Sequence, residues 1–295
     1  MTAPSPGIYY DIPFDEYVEW PGLNVSTLLK GRKSMLHLKH YMDSPPLIRT
    51  TGMTTGVLGH TLTLEAPKAM ARYVVMPDFA GDPENRRADG SKPDAPSSTK
   101  WCRQKVKDFA AANITREVVT QEAYDDMLGM LKALTAHPKS SAALTGGVRE
   151  VSIVWVDEPT QVLRKGRIDL INIDKKLMLD LKVTEDASRF EGTIGRFGYH
   201  IRMAGYMDGW AAVSGVELFP YLLAVEPKPP FGIRYARIGK STMAAAYFGY
   251  GFLMNQYRRC TETGEWPGYD DLDEWNLPGH VPSDETYGLK ITETS

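Results

Sequence analysis

Glu150-Val-Ser-Ile-Val-Trp155, the run 162–171 and Leu177-Met-Leu-Asp-Leu-Lys-Val183 decide the architecture of this chain. All three are rich in β-branched and other apolar residues and partly alternate, which is the pattern of strands. Asn172-Ile-Asp-Lys-Lys176 supplies turn residues between the last two. The spacing predicts a three-strand antiparallel meander.

On both sides of the meander the period becomes helical. Upstream, Asn24-Val-Ser26 precedes a short helix with Ser26 as its expected N-cap. Further helices are expected over 54–65, stopped by Pro67, over 101–112 and over 122–136, where Met127, Met130, Leu131 and Leu134 recur at three-to-four spacing. Between them, 81–100 holds so many Gly, Pro, Asp and Ser residues that it reads as a mobile loop. Downstream come one helix over about 189–213, a strand over 221–225, a Pro-rich turn, a strand over 233–238 and a long helix over about 241–261. This order points to an α/β fold with a central mixed sheet and flanking helices, because hairpins dominate its centre.

Composition bounds the function. Of 295 residues, 42% are hydrophobic and 24% charged, ordinary values for a globular chain. The longest apolar run, Met243 to Met254, is 12 residues long and is interrupted by Gly249 and Gly251. A bilayer span needs about 20. The N-terminus lacks a basic region followed by an apolar core, so a cytoplasmic location without membrane association is expected. The two cysteines, Cys102 and Cys260, are too few for an iron–sulfur cluster. The net charge of −3 hides an asymmetry: residues 1–261 carry +5 and the remainder −8. A basic body permits a polyanionic partner.

The chemistry concentrates in Lys165-Gly-Arg-Ile-Asp169 and Leu179-Asp180-Leu181-Lys182. Alternation along strands is expected to project Lys165, Arg167 and Asp169 together, and Asp180 with Lys182, while the hairpin joins the two sets. Converging carboxylates make a hard-oxygen site suited to Mg²⁺, and a neighbouring lysine can steady charge during phosphodiester hydrolysis. The plain alternative is a solvated hairpin face. The apolar run around Asp180 argues against it, since a carboxylate set among leucines is costly to bury unless paired or metal-bound.

Gly56-x-x-x-His60-x-x-x-Leu64-Glu65, Glu150, Arg167-x-Asp169, Asp180-x-Lys182 and Tyr199-His200 with Tyr206 occur in an order that resembles the PD-(D/E)xK nucleases. Within them the chain is most similar to the RecB-like branch typified by the exodeoxyribonuclease VIII nuclease domain, common in phages and prophages. The resemblance implies a restriction-endonuclease-like core, with 1–268 as one nuclease domain and 269–295 as an acidic tail. It also implies that Asp169 and Asp180 bind the metal, that Lys182 is the catalytic lysine and that His60 is a further metal ligand. Glu65 and Glu150 match acidic positions of the family. His60 and Glu65 are five residues apart, about 140° around a helix, so they should not both address one ion.

Tyr199, Arg202 and Tyr206 share a helical stripe and, with Arg167, are the expected DNA contacts. The family usually has glutamine at position 202, so Arg202 is a departure. Arg86, Arg87, Lys92, Lys100, Arg103, Lys105 and Lys107, with Trp101 among them, form a second, weaker candidate for DNA contact. The resemblance implies a Mg²⁺-dependent exonuclease, with Mn²⁺ as a possible substitute, acting 5′ to 3′ on linear double-stranded DNA ends in homologous recombination. It would work beside a single-strand annealing protein and as a possible homo-oligomer. A DNA-binding recombination accessory protein on an inactive nuclease fold is the alternative, and an endonuclease shares the chemistry without needing an end.

Overall fold

The structure is a computed structural model that describes residues 4–44 and 72–269. Its centre is the meander: β5 (Val148–Val156), β6 (Leu163–Asn172) and β7 (Leu177–Val183) pair antiparallel in sequence order. β7 then pairs in parallel with β8 (Phe219–Val225), and β8 antiparallel with β9 (Ile233–Arg237). At the opposite edge β1 (Gly7–Tyr9) lies antiparallel to β5, and the two-residue β2 (Leu23–Asn24) runs parallel to β6. The expected mixed sheet is therefore present. The parallel β3 (Tyr73–Val75) and β4 (Glu117–Val119) form a separate small sheet.

Helices cover both faces. One face carries α2 (Val25–Leu28), α3 (Met35–Asp43), α8 (Tyr199–Ser214) and α9 (Lys240–Thr263), whose Leu28, Leu38, Met203, Trp210 and Leu253 form one core cluster with Ile153, Trp155, Ile168 and Met178 of the sheet. The other face is split. α1 (Phe14–Glu19) covers the β5–β6 end through Tyr17 and, just beyond the helix, Trp20. α5 (Gln121–Ala136) and α6 (Pro138–Leu144) cover the β7–β8 end with Met127, Met130, Leu134 and Leu144. The remaining helices are α4 (Lys100–Ala112) and α7 (Phe190–Phe197).

Three local expectations are corrected. The first short helix is capped by Asn24, whose side chain accepts from the Thr27 N–H at 2.9 Å; Ser26 lies inside the helix. The helix expected over 189–213 is two helices, because Gly198 adopts φ +69° between α7 and α8. The segment 81–100, expected to be mobile, is tied together by buried Asn85, which donates to the Phe79, Ala80 and Pro96 carbonyls and accepts from the Thr99 hydroxyl. The helix expected over 54–65 and the acidic run from Asp270 lie outside the described residues. Both cysteines are free and buried. Among the described residues no helix is long and apolar enough to cross a membrane.

A buried cation joins the α8/α9 layer to the sheet. Arg164, fully buried, donates from Nε to the Leu23 carbonyl and from Nη1 to the Tyr250 hydroxyl, both at 2.8 Å. Burial lowers its pKa, and the fields of Tyr250, Asp157 and Asp208 oppose that shift. Close approach of α8 to the sheet and to α2 depends on Gly205 and Gly209. A Cβ at Gly209 would lie 2.8 Å from three ring carbons of Trp155, and one at Gly205 would lie 2.9 Å from Val25. Helical Gly192 of α7 has no neighbour within 4 Å. Gly209→Ala is therefore expected to destabilise by about 1–3 kcal/mol through overpacking. Gly192→Ala should be neutral or stabilising by up to about 1 kcal/mol through helix propensity. The thermal unfolding temperature is expected to fall for Gly209→Ala and to stay or rise for Gly192→Ala.

Candidate active site

On β7 the alternation is regular. Leu177, Leu179 and Leu181 enter the cluster under α5, and Met178 enters the cluster under α8, so Asp180 and Lys182 face α8. On β6 it is not. Ile168 and Ile171 both belong to the α8 cluster, and Leu170 to the α5 cluster, which strict two-residue periodicity forbids. The change of face coincides with a gap in the β5–β6 ladder. Val151 pairs with Ile168 and Arg149 with Leu170, but the intervening Glu150–Asp169 pair is missing. Glu150 there has φ +53°, a left-handed conformation costing a non-glycine residue about 1–2 kcal/mol.

This change of face corrects the expected single row of Lys165, Arg167 and Asp169. Lys165 faces α1 and caps the end of that helix, donating from Nζ to the Tyr17 carbonyl at 3.1 Å, the Val18 carbonyl at 2.8 Å and the Trp20 carbonyl. Arg167 faces the same way. Its Nε pairs with Glu150 Oε2 at 2.5 Å, and its Nη1 donates to the Ile12 carbonyl at 2.8 Å. Glu150 and Arg167 thus engage each other beside the α1 aromatics. Asp169, beyond the change of face, turns to the side of Asp180.

The two strands separate at this point. Their ladder runs from Asn172↔Leu177 to Leu170↔Leu179 and stops. Asp169 Oδ2 accepts the Leu181 N–H at 2.6 Å, so a carboxylate takes over from the backbone of β6. Asp169 is 7% exposed and Asp180 3%. Asp180 forms an ion pair with Lys182, whose Nζ also donates to the Leu181 carbonyl at 2.9 Å and lies 5.3 Å from the Tyr199 ring centroid. The ion pair falls on Asp180 Oδ2, which is buried.

Arg202 completes the cluster. Burial acts against its charge, but Asp180, Tyr206, Asp169 and Tyr199 outweigh that and raise its pKa above the ordinary arginine value. Its guanidinium lies 5.5 Å from the Tyr199 ring centroid, and its buried Nε has no hydrogen-bond partner. Burial raises the Tyr199 pKa, with Arg202 opposing and Asp180 reinforcing. Tyr206 is almost wholly buried, and burial pushes its hydroxyl far up; its ring lies against Gly166, where a Cβ would approach it to 3.2 Å. Tyr199, Arg202 and Tyr206 therefore share the sheet-facing stripe, with Tyr206 inside the core.

The site thus brings together Asp169, Asp180, Lys182, Tyr199, Arg202 and Tyr206. Glu150 and Arg167 pair with each other on the α1 side. His60 and Glu65 lie outside the described residues. Among the described residues no group of three His, Cys, Asp or Glu side chains converges to hold a metal. The donor set nevertheless fits a divalent cation in part: two buried carboxylates on adjacent strands are hard oxygen donors, and Lys182 pairs with Asp180 Oδ2. In the loop proposed for DNA contact, Arg87 pairs with Asp94. Sequence reasoning passed over Lys30, Arg32 and Lys33, which line an open groove reaching Tyr199 and Arg202. Three positive charges in the four residues 30–33 were the available signal.

A solved structure from Eubacterium rectale, named "Putative exonuclease", superposes with a TM-score of 0.57 at 11% identity, over 94% of this chain and 98% of that one. At this identity the likeness concerns the fold alone. A phage related exonuclease from Haemophilus somnus aligns over 63% of this chain and 92% of its own at 12% identity; its TM-score of 0.32 carries no argument. No curated protein matches the chain. The PDDEXK-like domain of unknown function (DUF3799) matches residues 32–274, most of the length, and the chain belongs to this family.

Proposed function

We propose that the protein is a divalent-metal-dependent exonuclease that hydrolyses linear double-stranded DNA. The observation that carries this reading is the buried pair Asp169 and Asp180 beside Lys182. Membership of a PDDEXK-like family and a nuclease-like fold support it. Asp169 and Asp180 would hold the cation, with His60 as a further ligand; Mg²⁺ is the natural ion for carboxylate oxygens, and a histidine ligand also suits Mn²⁺. Such a cation, when bound, polarises a phosphodiester and lowers the pKa of a coordinated water.

The chain's own residues supply the rest. The Asp169 carboxylate is oriented by the Leu181 N–H, and Lys182 is held by the Leu181 carbonyl and Asp180. A lysine so fixed offers donors to the charge that grows on a phosphate during hydrolysis. Polarity from the 5′ end, a recombination role, an annealing protein as partner, a homo-oligomer and one nuclease domain over 1–268 rest on the resemblance and are part of the same proposal, as is the cytoplasmic setting expected from the sequence pattern.

A second reading has an observation of its own. Arg202 is a buried cation in the field of both carboxylates, and a guanidinium there competes electrostatically with a metal. An accessory DNA-binding protein on an inactive nuclease fold would follow if that competition prevailed.

Release of nucleotides from end-labelled linear duplex, with covalently closed circular duplex alongside, separates these readings. With Mg²⁺ or Mn²⁺ the linear substrate alone is expected to be degraded; cleavage of the circle as well would indicate an endonuclease. Asp180→Ala and Lys182→Ala are each expected to lower the rate at least about 10²-fold, the scale of lost transition-state stabilisation. Wild-type protein that cuts neither substrate would overturn the nuclease reading. Arg202→Gln is expected to tighten Mn²⁺ binding in a calorimetric titration, because it removes a competing buried charge. If the accessory reading holds, the same variant gains cleavage that the wild type lacks.

A further inference from the structure

α2, α3 and the end of α7 enclose an open groove of about 770 Å³. Its walls carry Lys30, Arg32, Lys33, His37, His40 and Arg196, with no carboxylate among the described lining residues. At its inner end it is lined by Tyr199 and Arg202, the side chains that lie against Lys182 and in the field of Asp180. A cationic groove that ends at the neighbours of two acidic residues is the arrangement expected of a path for a polyanion.

Phe197, also on the lining, adds a second kind of contact. It is 51% exposed and stacks on Tyr199 with ring centroids 5.8 Å apart and planes at 22°. Its position is fixed by the break at Gly198 and by Arg32, which donates from Nη1 to the Arg196 carbonyl and from Nη2 to the Gly195 carbonyl, both at 3.0 Å. A guanidinium on the last carbonyls of a helix is also favoured by the helix dipole. Arg32 therefore ties the two walls together at the aromatic step.

We propose that this groove is the track for one strand of a nucleic acid entering the carboxylate site, with phosphates along Lys30, Lys33 and Arg196 and a terminal base stacked on Phe197. The proposal rests on the nuclease reading and deepens it. Bases inside a duplex have both faces covered by their neighbours, so an exposed ring beside the site accepts a base only at an end or a frayed junction. Phe197 thereby supplies a physical reason for end dependence, and the recognised chemistry is a phosphodiester backbone plus one unstacked base.

The test is fluorescence anisotropy in EDTA, where binding is read without hydrolysis. The probes are a duplex with a short frayed end and the same duplex closed at both ends by hairpin caps. The wild type is expected to prefer the frayed end. Phe197→Ala should weaken frayed-end binding about 10-fold, the scale of one lost base stack, and leave the capped duplex unaffected. Lys30→Ala combined with Lys33→Ala should weaken both and reduce the slope of log affinity against log salt by about 1.5. Arg86→Ala with Lys92→Ala should change neither. Thermal unfolding checks that the variants, all at surface positions, remain folded. Unchanged frayed-end binding by folded Phe197→Ala would overturn the stacking role, and an unchanged salt slope in the double lysine variant would overturn the track. End-selective binding by a wild type that does not cut with Mg²⁺ would support the groove while removing the nuclease reading.

Discussion

Two carboxylates set inside a hydrophobic sheet constrain the rest of this molecule. Asp169 and Asp180 lie on adjacent strands among leucines and isoleucines, and both are almost fully withdrawn from solvent. The effective penalty for burying an ion is several kcal/mol even after relaxation. A fold that keeps two such groups together must surround them with donors and cations, and each feature around them does so. The Leu181 N–H binds Asp169, Lys182 pairs with Asp180, and Arg202 reaches into the field of both from α8.

The arrangement needs the sheet to depart from regularity. If β6 alternated throughout, Asp169 would project with Arg167 toward α1, away from Asp180. The missing Glu150–Asp169 pair and the left-handed Glu150 reverse the face over one residue. The early end of the β6–β7 ladder then opens space between the strands. Glu150 is held at the reversal by Arg167, which is itself anchored on the Ile12 carbonyl. Local strain and lost ladder bonds thus coincide with the residues proposed to carry the chemistry, as is common at functional sites. Gly166 and Gly209 let α8 lie close enough for Arg202 to reach the pair.

Much of this was legible in the sequence. The meander, its turn at 172–176 and the helices α4 and α5 follow from periodicity and turn chemistry, and the structure agrees to within a few residues; the short α6 does not follow from the pattern. Asp180 with Lys182 was legible because β7 keeps strict alternation. Asp169 was named, but as a neighbour of Lys165 and Arg167, because alternation cannot reveal where a strand reverses its face. The division of the helix at Gly198 was hidden for a related reason: a lone glycine in a helical pattern is usually tolerated, and the contact of Arg32 with the carbonyls just before the break joins residues distant in sequence. The groove residues 30–33 belong to a segment distant in sequence from the carboxylates, and folding alone joins them.

The central claim is that Asp169 and Asp180 together hold a divalent cation in competition with Arg202. Its most direct measurement is the anomalous scattering of Mn²⁺ in crystals of the protein grown with the ion. The expected result is a single strong peak within about 2.0–2.6 Å of carboxylate oxygens from both residues, the range for divalent ions on oxygen ligands. Saturating Mn²⁺ with no peak there, and the Arg202 guanidinium seated between the two carboxylates, would contradict the account.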